Sequence, residues 1–187
     1  VAACVWQLLA EGSLDVHQRV ADVVPEFATN GKDVVTLEQV LLHTSGFPYA
    51  PLGPPAWADR GSRLAAFARW RLNWEPGTRF EYHATSAHWV LAELIERVEG
   101  EDFRSVVQRR VVEPLGLAHL RLGVPPEDQG DVLRVVTTGE PPSPAEVEAV
   151  TGIAGVTLGD LTGGLTDDLF VTLSEPDNVA VGVPGGG

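Results

Sequence analysis

The stretch FEYHATSAHWVL, residues 80–91, sets a tyrosine, two histidines and two hydroxyl side chains ahead of an apolar helical pattern. Groups of these types accept and donate protons, so the stretch reads either as an active-site rim or as the polar start of a surface helix. His83 and His88 are five positions apart, off a common helix face, and His17, His43 and His119 have no companion at ligand spacing. No metal site is therefore expected. The terminal GVPGGG has glycines but no following Lys-Ser or Lys-Thr, which makes it a poor phosphate loop. Ser45 in HTSGF has a histidine two residues earlier, yet positions 43 and 47 are His and Phe where a nucleophile elbow needs glycines. A capped helix end, whose hydroxyls satisfy backbone groups, is the expected role of that segment. The single lysine, Lys32, follows Thr29 by three residues, but Asn30-Gly31 between them predicts a turn rather than a Ser-x-x-Lys-like helix.

These residues need elements to hold them. Residues 1–11 predict a helix with Val1, Val5, Leu8 and Leu9 on its apolar face and Gly12 just past its end. Thr36 with Gln39 has capping-box spacing, and Leu37, Val40 and Leu41 follow as one face, ending near Gly46 and Pro48. Residues 48–55 are a Pro- and Gly-rich loop, Ser62 is the expected cap of a helix using Leu64 and Phe67, and Glu75-Pro76-Gly77-Thr78 is a turn. The strongest helical stripe is Val90, Leu91, Leu94, Ile95 and Val98, closed by Gly100. Asp102 opens the next helix, with Phe103, Val106 and Val107, ending by Pro114 and Gly116. Further starts are expected at Ser143 (with Glu146) and at Thr166 (with Asp167 and Asp168), while residues 152–164 offer little pattern. Long strand alternation is absent, so the chain reads as mainly helical with long loops.

The 187 residues suffice for one domain with a real core, and their formal charge of −13 argues against a nucleic-acid partner. No apolar run is long enough to span a bilayer. The opening VAACVWQLLAEG lacks a basic start and a cleavage site, so it is not read as a secretory signal. Cys4 has no partner for an internal disulfide and is expected to be buried; the missing disulfides favour a cytoplasmic setting over a periplasmic or secreted one. The chain has no methionine and ends on what reads as mid-loop, which suggests a fragment cut at both ends.

Five segments in one order carry a resemblance: LLAEGSLDVHQRV, VTLEQVLLHTSGFP, WEPGTRFEYHATSAHWVLAELIERVEG, VVEPLGL and VGVPGGG. Together they resemble the serine β-lactamase and penicillin-binding-protein-like family, in its class C-like branch with esterases and peptidases. The resemblance implies an α/β parent fold of the β-lactamase/transpeptidase type, of which these residues are the mostly helical part, with the central antiparallel sheet largely missing. It implies a single incomplete domain over residues 1–187, lacking an N-terminal Ser-x-x-Lys segment and a C-terminal sheet motif. It implies a serine hydrolase that forms an acyl-enzyme without a cofactor, acting on a small-molecule ester or β-lactam-like substrate.

Tyr82 then matches the tyrosine of the family's Tyr-x-Asn motif, implied to be the general base. A tyrosine of pKa ~10 serves so only where a lysine or a helix N-terminus favours its phenolate. Ala84 stands where the family has Asn and offers no amide, which turns the expectation from β-lactams and peptides toward esters. His83, Ala84, Tyr49 and Trp57 are the expected pocket residues; His43, Ser45 and Gly46 are expected to be structural near the site. A non-catalytic ligand-binding or regulatory homologue is the alternative.

Overall fold

The structure, a computed structural model, describes residues 1–136, 138–157 and 167–185. The helix start expected at Thr166, most of the pattern-poor stretch and the last two glycines lie outside the described residues. No strand occurs among the described residues; the only regular cross-chain pairing there is an isolated bridge between Arg19 and Thr36. The chain is helical, as expected.

Helix α1 spans Ala2–Ala10, α2 Val20–Val23, α3 Leu37–Leu41, α4 Arg60–Arg69, α5 Ser86–Glu99 and α6 Phe103–Val107. Of these, α5 is the axis: α1, α2, α3 and α6 all pack against it. Its apolar stripe is the expected one, and Gly100 at φ 72° takes the left-handed conformation that ends it. The stripe understates its burial, however. Between Ser86 and Glu96 every residue except His88 is buried, including the carboxylates Glu93 and Glu96.

Buried carboxylates need cations and donors. Arg60 of α4 reaches Glu93 at 2.7 Å and Glu96 at 3.0 Å, and Arg63, one turn on, reaches Glu96 at 3.2 Å. Arg97 holds Glu93 at 2.7 Å and Glu26 at 2.8 Å. The Phe103 amide at the start of α6 donates to Glu96 as well. One network thus fastens α4, α5, α6 and the Pro25–Phe27 turn around two carboxylates that lie outside the apolar stripe.

Around this axis the caps explain the shorter elements. Gly12 follows α1 at φ 74°, where a side chain would be strained. The Thr36–Gln39 capping box forms in both directions and starts α3. The cap of α4 is a correction: it is Asp59 rather than Ser62, its carboxylate accepts from the Ser62 amide at 2.6 Å, and the helix begins three residues earlier than read. A carboxylate just ahead of the first turn also complements the helix dipole, which Ser62 cannot do. Helix α6 continues as a π-helical turn, Gln108–Val112, before Pro114. Helices α7 (Pro144–Thr151, with its Ser143–Glu146 capping box), α8 (Asp167–Leu173) and α9 (Pro176–Val181) complete the described chain.

The turn at residues 29–32 exceeds its reading. Asn30 and Gly31 have φ 55° and 80°, as an Asn-Gly turn requires. Lys32 is fully buried and donates from Nζ to the Thr29 carbonyl (2.7 Å), the Thr29 hydroxyl (3.0 Å) and the Trp70 carbonyl (2.7 Å). Thr29 Oγ1 and Asn30 Nδ2 take the Ala68 carbonyl, and Asn30 Nδ2 also takes Trp70's. The turn is the C-terminal cap of α4, supplied from elsewhere in the chain.

Lys32→Met fills the volume but strands buried acceptors, and is expected to cost about 3 kcal/mol in a urea titration. Arg63→Ala leaves Glu96 short of a partner and is expected to cost a similar ~3 kcal/mol near neutral pH. Burial already raises the Glu96 pKa above 4.5, ahead of the lowering effect of Arg63. The folded state therefore binds a proton more tightly than the unfolded one, and stability from this group grows as pH falls toward that value. The Arg63→Ala deficit should narrow between about pH 7 and about pH 5; a constant deficit would contradict this account.

Candidate active site

Two irregular segments, around residues 43–47 and 73–83, build the site through backbone hydrogen bonds to each other. The Asn73 amide donates to the Gly46 carbonyl (2.7 Å), Gly77 to Thr44 (2.8 Å) and Glu81 to His43 (3.2 Å). Gly46, at φ 87°, lies so close to Trp74 that an added Cβ would meet its carbonyl oxygen at 2.5 Å. Only glycine fits there, which explains the Gly of HTSGF. The turn at Glu75–Thr78 forms as expected, with the Thr78 amide donating to Glu75.

His83 is the pin between the segments. Its ring is fully buried, and Nδ1 lies 2.6 Å from the Glu81 carbonyl, an atom that only accepts. Nε2 receives the Phe47 amide at 3.1 Å, so Nδ1 carries the proton and the ring is neutral. Burial pushes its pKa down from 6.5 to about 4, in agreement. Ser45 Oγ, also fully buried, sits 3.2 Å from the same Nε2. This serine has a histidine after all, but not the one two residues before it, and no route for a substrate. The Ser86 hydroxyl then ties the first turn of α5 to the Phe47 carbonyl at 3.0 Å.

Next in sequence, Tyr82 faces the other way. It is 41% exposed while His83 is 0% exposed, the alternation of an extended strand of chain. Its ring lies 4.8 Å from that of His43, and His43 is 5.9 Å from His83 and 6.0 Å from His88. His43 Nδ1 accepts from the His83 amide, and burial lowers the pKa of both His43 and His88, the latter also through the His43 charge. The cluster is uncharged near neutral pH. Thr85 caps α5 with no side-chain hydrogen bond, so the N-terminal dipole of this 14-residue helix opens directly after the Tyr82 segment. Ala84 is buried, its carbonyl 2.9 Å from where a Cβ on Gly185 would stand, and the same Cβ would meet the His88 ring at 2.6 Å. The Val183–Gly185 end thereby seats against the cluster.

The structure thus brings Tyr82, His83, Ala84, His43, Ser45 and Gly46 together. Tyr49 stands beside them: it is exposed, and its hydroxyl donates to Glu81, which Arg79 also holds. Trp57 does not join. It is buried, its indole donates to Asn178 at 3.1 Å, and its carbonyl takes Arg63, so it belongs to the charged network instead. Sequence reasoning missed that His43 and His88 converge from far apart. Helical spacing was the wrong test for residues on an extended segment, a loop and a helix start.

A family model described as Beta-lactamase matches residues 1–186. The chain is 31% identical over 133 residues to the "Esterase/beta-lactamase LipL" of Mycobacterium tuberculosis, covering 68% of this chain and 30% of that protein. It is 29% identical over 126 residues to a "Putative D-alanyl-D-alanine carboxypeptidase" of Escherichia coli, covering 60% and 29%. Among solved structures, a penicillin-binding-protein homologue from Caulobacter crescentus matches with TM-score 0.66 at 32% identity, over 80% of this chain and 42% of that one. A family VIII carboxylesterase matches with TM-score 0.74 at 26% identity, over 98% and 47%. The chain spans less than half the length of each of these relatives. With the helical architecture, the pairing of HTSGF against the Tyr82 segment and a family match from end to end, this chain belongs to the β-lactamase family of serine hydrolases.

Proposed function

We propose that the protein is a serine hydrolase that cleaves carboxylic esters through an acyl-enzyme, with Tyr82 as its proton-transfer base. The observation that carries this reading is the placement of Tyr82: an accessible phenol at the uncapped start of α5, on a backbone fixed by the buried His83. The reactive serine in this reading is supplied by sequence outside these 187 residues, since Ser45 is sealed in the core. Its Oγ attacks the ester carbonyl carbon, and Tyr82 takes the hydroxyl proton and delivers it to the departing alkoxide. Water, giving its proton to Tyr82, then attacks the acyl carbonyl carbon; the acyl–serine bond breaks, Tyr82 returns the proton to the serine Oγ, and the acid leaves.

Ester preference rests on Ala84. A methyl group holds the position of an amide, and it lies buried under Gly185. A β-lactam or peptide substrate would find no carboxamide there to recognise its own amide. The same residue favours a second reading, a homologue that holds a ligand without turning it over.

The deciding experiment treats the full-length protein, with and without Tyr82→Phe, with a fluorophosphonate probe and a chromogenic short-chain ester. A single covalent adduct and ester turnover, with turnover reduced about 10²-fold or more in Tyr82→Phe, is the expected outcome. Absence of both in folded protein would favour the binding homologue. Acid should also disarm the site. The folded pKa of His83 lies below its ordinary 6.5, so its contribution to stability is intact above that pH and lost as pH falls toward about 4. The thermal midpoint should drop across that window, and drop less in His83→Asn.

A further inference from the structure

Beside the site, a cavity of about 300 Å³ is lined by Tyr49, Pro51, Arg69, Trp70, Arg71 and Asn73. No carboxylate lines it, in a chain with 26 acidic residues and a formal charge of −13. Of the ten other arginines, Arg60, Arg63, Arg79, Arg97, Arg104, Arg109, Arg110 and Arg121 sit in ion pairs, while Arg19 and Arg134 take none among the described residues and do not line this cavity. Arg69 and Arg71 are exposed and take no ion pair among the described residues.

We propose that this cavity binds an oxyanion, a carboxylate or phosphate group, between the guanidinium groups of Arg69 and Arg71 with the Asn73 amide at its edge. The simplest competing role for Arg69 is to neutralise the C-terminal end of α4, in whose last turn it sits. That role is already filled. The Ala68 carbonyl accepts from Thr29 and Asn30, and the Trp70 carbonyl accepts from Lys32 and Asn30. Beneath Trp70, the Lys32 ammonium adds a third positive charge whose acceptors are all neutral. Three cations without a counter-charge repel one another, and the Arg71 charge, after burial, helps push the Lys32 pKa down to about 8. An anion in the cavity relieves that repulsion and meets two planar donor forks suited to carboxylate or phosphate oxygens. Its volume admits such a group with a short substituent. The inference is independent of the ester reading, because it needs neither Tyr82 nor a nucleophile.

The test uses the full chain, labelled with ¹⁵N, at constant ionic strength in sodium chloride. Inorganic phosphate and succinate are titrated separately while the arginine Nε–H resonances are followed. Saturable shifts at Arg69 and Arg71, with Arg19 and Arg134 unmoved, are the expected result. Arg71→Gln should weaken binding about tenfold, the loss of a charge-assisted contact, without lowering the thermal midpoint of the free protein. Tighter binding of succinate assigns the site to carboxylates, and tighter binding of phosphate assigns it to phosphoryl groups. Unsaturable shifts, or equal ones at Arg19 and Arg134, would mean general screening and overturn the proposal.

Discussion

A helix can sit in the middle of a small protein only if its polar side chains find partners there. Helix α5 meets that condition with Glu93 and Glu96, two buried carboxylates answered by Arg60, Arg63 and Arg97. Burying ions is costly, and the attraction between them offsets that cost only when geometry and extra hydrogen bonds are good. Here both carboxylates are shared between two cations, and Glu96 also receives the Phe103 amide. The result orients α4 and α6 about α5. It therefore fixes where the start of α5 points, and that start carries the candidate site.

At the site, the division of labour follows from alternation along an extended backbone. His83 turns inward and becomes a neutral, doubly engaged post. Tyr82 turns outward and keeps its hydroxyl accessible. Neither role is available without the other, because the inward ring holds the strand of chain that presents the outward one. Ser45 belongs to the same post, which is why the most suggestive serine in the sequence lies where no substrate reaches.

Much of this was legible in the residues. The Thr36 and Ser143 capping boxes, the α5 stripe and the Asn30-Gly31 turn were readable because each depends on neighbours within a few positions. The cap at Asp59 was misread because Ser62 and Asp59 both suit the role, and only the chain's entry angle decides between them. Lys32 looked like an accident beside Thr29, and the histidine cluster like unrelated residues. Their partners lie some forty positions away, at Trp70 and between His43 and His83, and local pattern carries no such information. Trp57 was expected in the pocket, whereas its indole donates to Asn178, more than a hundred positions further along the chain.

The burial of Lys32 has a practical side. It is the sole lysine of these 187 residues, and its amine is fully enclosed. The folded surface of this stretch therefore presents no side-chain amine at all. Lysine-directed tagging enzymes and amine-selective reagents find no side-chain target on it while the fold is intact. An amine that reacts only after the turn at residues 29–32 has come away from α4 makes a built-in reporter of opening in that corner of the molecule.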